Sequence, residues 1–144
     1  MATYYSDKVD STTGNKDLDK KTARALVGTT TIVATAVIDT ALVASDTIEL
    51  AVIPAGATIT EIVLGNDNGL GTTMTLDVGD ADDADRFIDG ADFSGDATVA
   101  RIDEGAGVGY TYSSETTLIA TAATAASGTT DGTLKAVITY VVGN

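Results

Sequence analysis

Apolar and polar residues alternate over most of the chain after Arg24. Ile48, Leu50 and Val52 alternate with Thr47, Glu49 and Ala51, and Met74, Leu76 and Val78 with Thr73, Thr75 and Asp77. Leu118, Ala120 and Ala122 repeat the period within 116–122. Leu134, Ala136, Ile138, Tyr140 and Val142 extend it against Lys135, Val137, Thr139 and Val141. One oily and one polar face at period two is the pattern of a half-buried strand. Two stretches depart from it. Within 24–39, Ile32, Ala34, Ala36 and Ile38 share a face, but Val33, Thr35 and Val37 fill the other, which predicts a strand buried on both sides. Within 59–64, Ile62 and Leu64 lie on one side and Ile59, Glu61 and Val63 on the other. That predicts a central strand, or one whose second face meets a neighbouring subunit.

The breaks between these runs have turn chemistry. Pro54-Ala55-Gly56 sets φ for a turn and then accepts a positive φ, and 66–71 (NDNGLG) combines residues that tolerate left-handed backbone. Residues 39–46 read as a connection or short strand, 105–109 as a flexible turn and 123–132 as a Ser/Thr/Gly/Ala loop. Short edge segments fall at 86–88 and 97–102. Phe87 and Phe93 are the expected core contacts there, and Tyr110 and Tyr112 fall on one face. About eight strands with no convincing helix predict an all-β, antiparallel two-sheet sandwich, jelly-roll-like or Greek key, whose strand order the pattern does not give. The sandwich is expected over 24–144, preceded by an extended N-terminal arm over 1–23 that is polar and without hydrophobic period.

Composition narrows the chemistry. The 144 residues suit one domain. The chain has no cysteine, no histidine and no tryptophan. This leaves no disulfide, no thiolate or imidazole metal ligand, and neither the commonest general base nor a cysteine nucleophile. An enzyme would have to work with carboxylates, lysine or tyrosine alone, so the reading is a non-enzyme without cofactor.

The net charge of −13 is unevenly spread. Lys8, Lys16, Lys20, Lys21 and Arg24 lie in the first 24 positions beside four acids, leaving three basic and seventeen acidic residues in the rest. Such a body repels phosphate backbones and favours basic protein surfaces, so no direct nucleic-acid binding is expected. The start MATYYSDKVD lacks the apolar run of a secretory signal, and no stretch reaches the roughly 20 apolar residues of a membrane helix. The expectation is a protein made in the cytoplasm, with no membrane partner. In the arm, Tyr4 and Tyr5 read as aromatic anchors and the basic residues as charge contacts for a partner.

The acidic run DVGDADDADRFID offers Asp77, Asp80, Asp82, Asp83, Asp85 and Asp89 as hard oxygen ligands. It lacks the glycine and the bidentate glutamate of a calcium-binding EF-hand loop, and a solvated acidic loop partly neutralised by Arg86 is the simpler reading. Glycine-rich 69–74 and 105–109 lack a phosphate-loop lysine and read as turns. Ser94 has no base beside it. Tyr110, Tyr112 and threonine-rich faces suggest a flat sugar surface, weakened by the absence of tryptophan.

The stretch from Asp46 to Phe93, through Ile53–Ala57 (IPAGA), Asp77–Asp80 (DVGD) and Asp85–Phe87 (DRF), resembles small structural proteins encoded among the head genes of tailed bacteriophages. The resemblance implies a virion component of the capsid decoration, or cement, type. Such proteins are β-rich and commonly trimeric, and they sit on the exterior of the shell where major capsid subunits meet. It implies the major capsid protein and other copies of the chain as partners. The expected contacts are the arm (Tyr4, Tyr5, Lys8, Lys16, Lys20, Lys21, Arg24) and a hydrophobic strand face, Ile59, Glu61 and Val63 or Val137, Thr139 and Val141. Alternatives are a head fibre, tail or baseplate protein touching host glycan, or a calcium- or carbohydrate-binding β-sandwich module.

Overall fold

The computed structural model describes residues 1–5, 28–128 and 131–143. It is a two-layer β-sandwich in which the described residues form nine strands. These are β1 (Thr3–Tyr5), β2 (Gly28–Ile38), β3 (Thr47–Ile53), β4 (Ala57–Asn66), β5 (Thr75–Gly79), β6 (Ile88–Asp92), β7 (Val99–Arg101), β8 (Thr116–Thr124) and β9 (Gly132–Val142). One sheet has the order β1-β3-β8-β5-β6 and the other β2-β9-β4-β7. All pairings are antiparallel except β1 on β3, which is parallel.

From β2 onward each successive strand crosses to the opposite sheet, the β5–β6 pair alone excepted. The last two strands take interior places: β8 lies between β3 and β5, and β9 between β2 and β4. The core between the layers is built mainly from small branched side chains, with Phe87, Phe93 and Tyr140 as its large members. Both phenylalanines are thus core residues, as the sequence predicts.

The two irregular stretches resolve differently. With only two layers, no described element covers the outer face of β2, and Val33 and Val37 are 52% and 67% exposed instead of buried. In β4 the pairing with β9 slips between Ile59 and Glu61. The bulge leaves Thr60 and Glu61 both exposed and returns Ile59 to the inner face with Ile62 and Leu64. Ile59 is therefore a core residue and not part of an outer stripe with Val63. An extra residue in one strand inverts every later side chain relative to strict alternation. A second slip between Glu49 and Ala51 has the same effect in β3, where Ala51 and Ile53 join the core.

The first residues belong to the sandwich. The Asp46 carboxylate, itself buried, accepts hydrogen bonds from the Ala2 amide at 2.6 Å and the Val43 amide at 2.9 Å, and the Thr47 amide donates to the Ala2 carbonyl at 2.9 Å. β1 then runs beside β3, with Tyr4 packed against the core. The Ala2 hydrogen bond holds the Asp46 carboxyl below the usual carboxylate range; burial opposes this and the Val43 hydrogen bond reinforces it.

Candidate functional site

The outer face of the four-stranded sheet is the chain's broad uncharged surface. Val33, Val137 and Val63 stand in register across β2, β9 and β4. Rows of threonine flank them: Thr31 lies opposite Thr139, their hydroxyls 3.2 Å apart, and Thr29 lies opposite Val141. Val137 and Val141 are half-buried, as their outward positions on an interior strand predict. Charge enters this face at Lys135 and at the rim, where Arg101 Nη1 donates to Glu61 Oε1 at 2.9 Å. The β4 bulge is what turns Glu61 outward toward Arg101.

The opposite outer face differs. On the five-stranded sheet, Glu49 lies opposite Ile119, and Asp77 opposite Thr121. Glu49 and Glu115 line an open groove of about 300 Å³ with Thr117 and Ile119. Burial, together with the nearby carboxylates of Asp89 and Asp85, pushes the Asp77 carboxyl above its ordinary value, against the pull of a 2.7 Å hydrogen bond from the Gly90 amide. One side of the sandwich is anionic and the other is a lattice of threonine and valine.

The acidic run between β5 and β6 is pinned by its own fourth residue. Asp80 is buried, and its carboxylate accepts from Arg86 Nε at 2.7 Å and Nη2 at 3.3 Å, from the Tyr112 hydroxyl at 2.7 Å, and from the amides of Asp82 and Asp83 at 3.0 and 3.1 Å. Burial works against ionising Asp80, yet the Arg86 and Tyr112 hydrogen bonds outweigh it and keep its carboxyl below the ordinary value. The same pair raises Arg86, and burial and Asp80 raise Tyr112, far out of the physiological range. The Arg86 guanidinium also lies 4.1 Å from the centre of the Tyr110 ring, and that ring meets Tyr112 edge-on at 5.0 Å.

This arrangement answers two of the sequence readings. Asp80 spends its oxygens on protein donors, and among the described residues no group of three or more Asp, Glu, His or Cys side chains is placed to hold a metal ion. Tyr110 and Tyr112 do share one face, but they stack on each other, on Phe87 and under Arg86, so they form no open platform for a sugar.

The three segments that carry the phage resemblance converge here. In 77–80, Val78 is core and Asp80 the acceptor, while Gly79 lies so close to the loop that an added Cβ would sit 2.0 Å from the Asp83 carbonyl oxygen. In 85–87, Arg86 reaches Asp80 and Phe87 is core. In 53–57, Gly56 takes a φ of +83° in the turn and its amide donates to the Tyr112 carbonyl at 2.7 Å, while the Tyr112 amide donates to Ala57 at 2.9 Å. Tyr112 joins all three.

Of the expected contact residues, Tyr4 packs on the core of its own chain, Tyr5 pairs with Glu49 in β1, and Val137 and Val141 lie on the uncharged face. Lys8, Lys16, Lys20, Lys21 and Arg24 lie outside the described residues. The sequence reading missed Val33 and Val37 as surface residues, although the run Thr29, Thr31, Val33, Thr35, Val37 already has the threonine-rich character of an open face.

No family model matches the sequence, and no curated protein does. Among the solved structures that share the fold are three phage capsid chains. A chain of the cyanophage Pam1 capsid asymmetric unit superposes with a TM-score of 0.71 at 22% identity, over 82% of this chain and 88% of that one. A chain of the capsid of Ralstonia phage GP4 gives 0.71 at 21% identity, over 99% of each. A chain of the acid-stable capsid of Helicobacter pylori bacteriophage KHP30 gives 0.55 at 14% identity, over 81% of this chain and 94% of that one. At these identities the likeness is one of fold.

Proposed function

We propose that this chain is a non-enzymatic structural protein of a tailed-phage virion, of the decoration or cement type, binding the exterior of the capsid and stabilising the shell. The observation that carries this is the end-to-end match with a whole chain of the GP4 capsid. A small sandwich spanning the full length of a capsid chain fits an accessory shell component. The chemistry of the surface supports it. One broad face presents threonine and valine for contact, the other presents carboxylates, and the buried ionic cluster is spent on holding a loop. In this reading the partners are the major capsid protein and other copies of this chain. The basic residues Lys8, Lys16, Lys20, Lys21 and Arg24 supply charge contacts to the shell, and many weak, symmetry-repeated contacts resist internal DNA pressure by avidity.

Adding the purified protein to emptied, expanded shells tests this. Stoichiometric binding and a raised shell melting temperature are expected. Reversing the charge of Lys16, Lys20 and Lys21 to Glu should weaken binding while leaving the strand circular dichroism intact. This is a cleaner variant than deleting the arm, which would also remove β1. A folded protein that ignores the shells, or that binds host glycan in their place, overturns the proposal.

A further inference from the structure

We infer that the outer face of the four-stranded sheet is covered by a second copy of this chain. The inference deepens the proposed function, on which it rests for its context, by naming the surface through which copies join.

The face has the size, shape and charge for that occupant. Strands about 4.8 Å apart, rising about 3.4 Å per residue over as many as eleven residues, present roughly 600 Å² of sheet. That approaches the roughly 800 Å² each partner gives to a standard stable interface. The apolar row Val33–Val137–Val63 crosses its middle, and Val37 and Val141 extend it toward the two ends. Val33 and Val37 are open in the single chain, and scattered single valines would need no explanation, whereas a row in register does. Apart from Lys135 and the Glu61–Arg101 pair at the rim, the side chains are short and mostly β-branched, without a protruding aromatic, so two such faces can lie flat at the roughly 10 Å spacing of stacked sheets.

Charge selects a like copy over other partners. Outside its first 24 residues the chain carries three basic and seventeen acidic side chains, so two copies repel over most of their surface. On the five-stranded sheet they would bring Glu49 and Asp77 against their own counterparts. On the four-stranded sheet the acid is Glu61, already neutralised by Arg101, and Lys135 adds a positive charge. It is the face on which a strongly acidic protein can meet itself. A basic partner would instead be drawn to the opposite side.

The native mass of the protein without shells tests this. Twice 14.5 kDa is expected for the wild type, because a face that packs on its own counterpart closes as a pair. The double variant Val33→Glu, Val137→Glu should run as a single chain with unchanged strand circular dichroism, and Thr121→Glu, on the other sheet, should keep the wild-type mass. A wild type that stays a single chain at its highest soluble concentration overturns the inference, as does a folded double variant of unchanged mass. Should the double variant not fold, the absence of native cysteine gives a second readout. A thiol at Val137→Cys should be shielded from a thiol reagent in concentrated protein and open on dilution. Labelling of Val137→Cys that is as fast as that of Thr121→Cys at every concentration overturns the inference. A single chain that still binds shells would overturn this contact alone, and an oligomer that ignores shells would overturn the decoration reading alone.

Discussion

Replacing Tyr112 by Phe keeps the ring between Phe87 and Tyr110 and removes one hydroxyl, which isolates what that hydroxyl does for Asp80. A hydrogen bond to a charged acceptor is worth about 1.5–3 kcal/mol, so the variant should lose about 2 kcal/mol in chemical denaturation. Asp80→Asn is more severe, because it leaves the Arg86 guanidinium only the more exposed Asp83 carboxylate, 3.6 Å away. Breaking a buried pair costs about 3–5 kcal/mol, and a loss of at least about 3 kcal/mol is expected. The acid response follows the same group. Asp80 has a folded-state pKa below its unfolded value of about 3.9, so its contribution is fully present above that pH and is lost as pH falls through the folded value. Asp46 acts in the same direction, whereas Asp77, raised by burial, favours the folded state when protonated and partly offsets them at the onset. Wild-type stability should therefore fall below about pH 4, and more gently in Asp80→Asn. Parallel curves for the two proteins from neutral pH to pH 2 would refute the role given to Asp80. The cluster was only half legible in the sequence. The acids stood out at once, but six of them lie in thirteen residues, and nothing local distinguishes Asp80 as the one that folds inward. Its partner Tyr112 is 32 positions away and reaches it only through the fold.

At the scale of strands, the bulge in β4 decides which residues are core. Deleting Thr60 leaves Ile59, Glu61 and Ile62 in strict alternation opposite Tyr140, Thr139 and Ile138, so the strand should close up with Ile59 and Ile62 both still in the core. Exposing a fully buried isoleucine forfeits roughly 1.5–3 kcal/mol; the deletion avoids that exposure and should cost less than about 1.5 kcal/mol in chemical denaturation. A loss as large as that of an exposed isoleucine would mean that the strand does not close up as its register implies. Strands with continuous register were legible: β9 keeps its alternation through its pairing with β2 from Gly28↔Val142 to Ile38↔Gly132. Bulges were not, because a one-residue insertion leaves a sequence that also reads as a two-sided strand. The openness of β2 was misjudged for a different reason. Valine and threonine suit both a buried and an exposed strand face, and only the two-layer architecture leaves the outer face of β2 without a covering layer among the described residues.

Across the whole molecule, charge and topology act together. The acidic body repels itself, and added salt shortens the range of that repulsion from about 30 Å at 0.01 M to about 3 Å at 1 M. The thermal midpoint should rise with sodium chloride over that range, because Asp80 and Arg86 are too buried to be screened as strongly as the surface carboxylates. A midpoint that falls with salt would mean surface ion pairs matter more than repulsion. The two-layer class was legible from periodicity and turn residues, but the order of strands was not. Alternation reports which way a side chain points and says nothing of which strand lies alongside, and here nearly every connection leaves its own sheet.

That order has a consequence for how the molecule comes into being. The strands at the centre of both layers, β8 and β9, leave the ribosome after the strands they join, so β3 waits for one neighbour and β2 and β4 for another. A nascent chain stalled before Thr116 holds mostly edges with no middle, and such unpaired edges invite capture by other chains. The four-stranded sheet closes abruptly, when β9 slides between two strands that were made long before it.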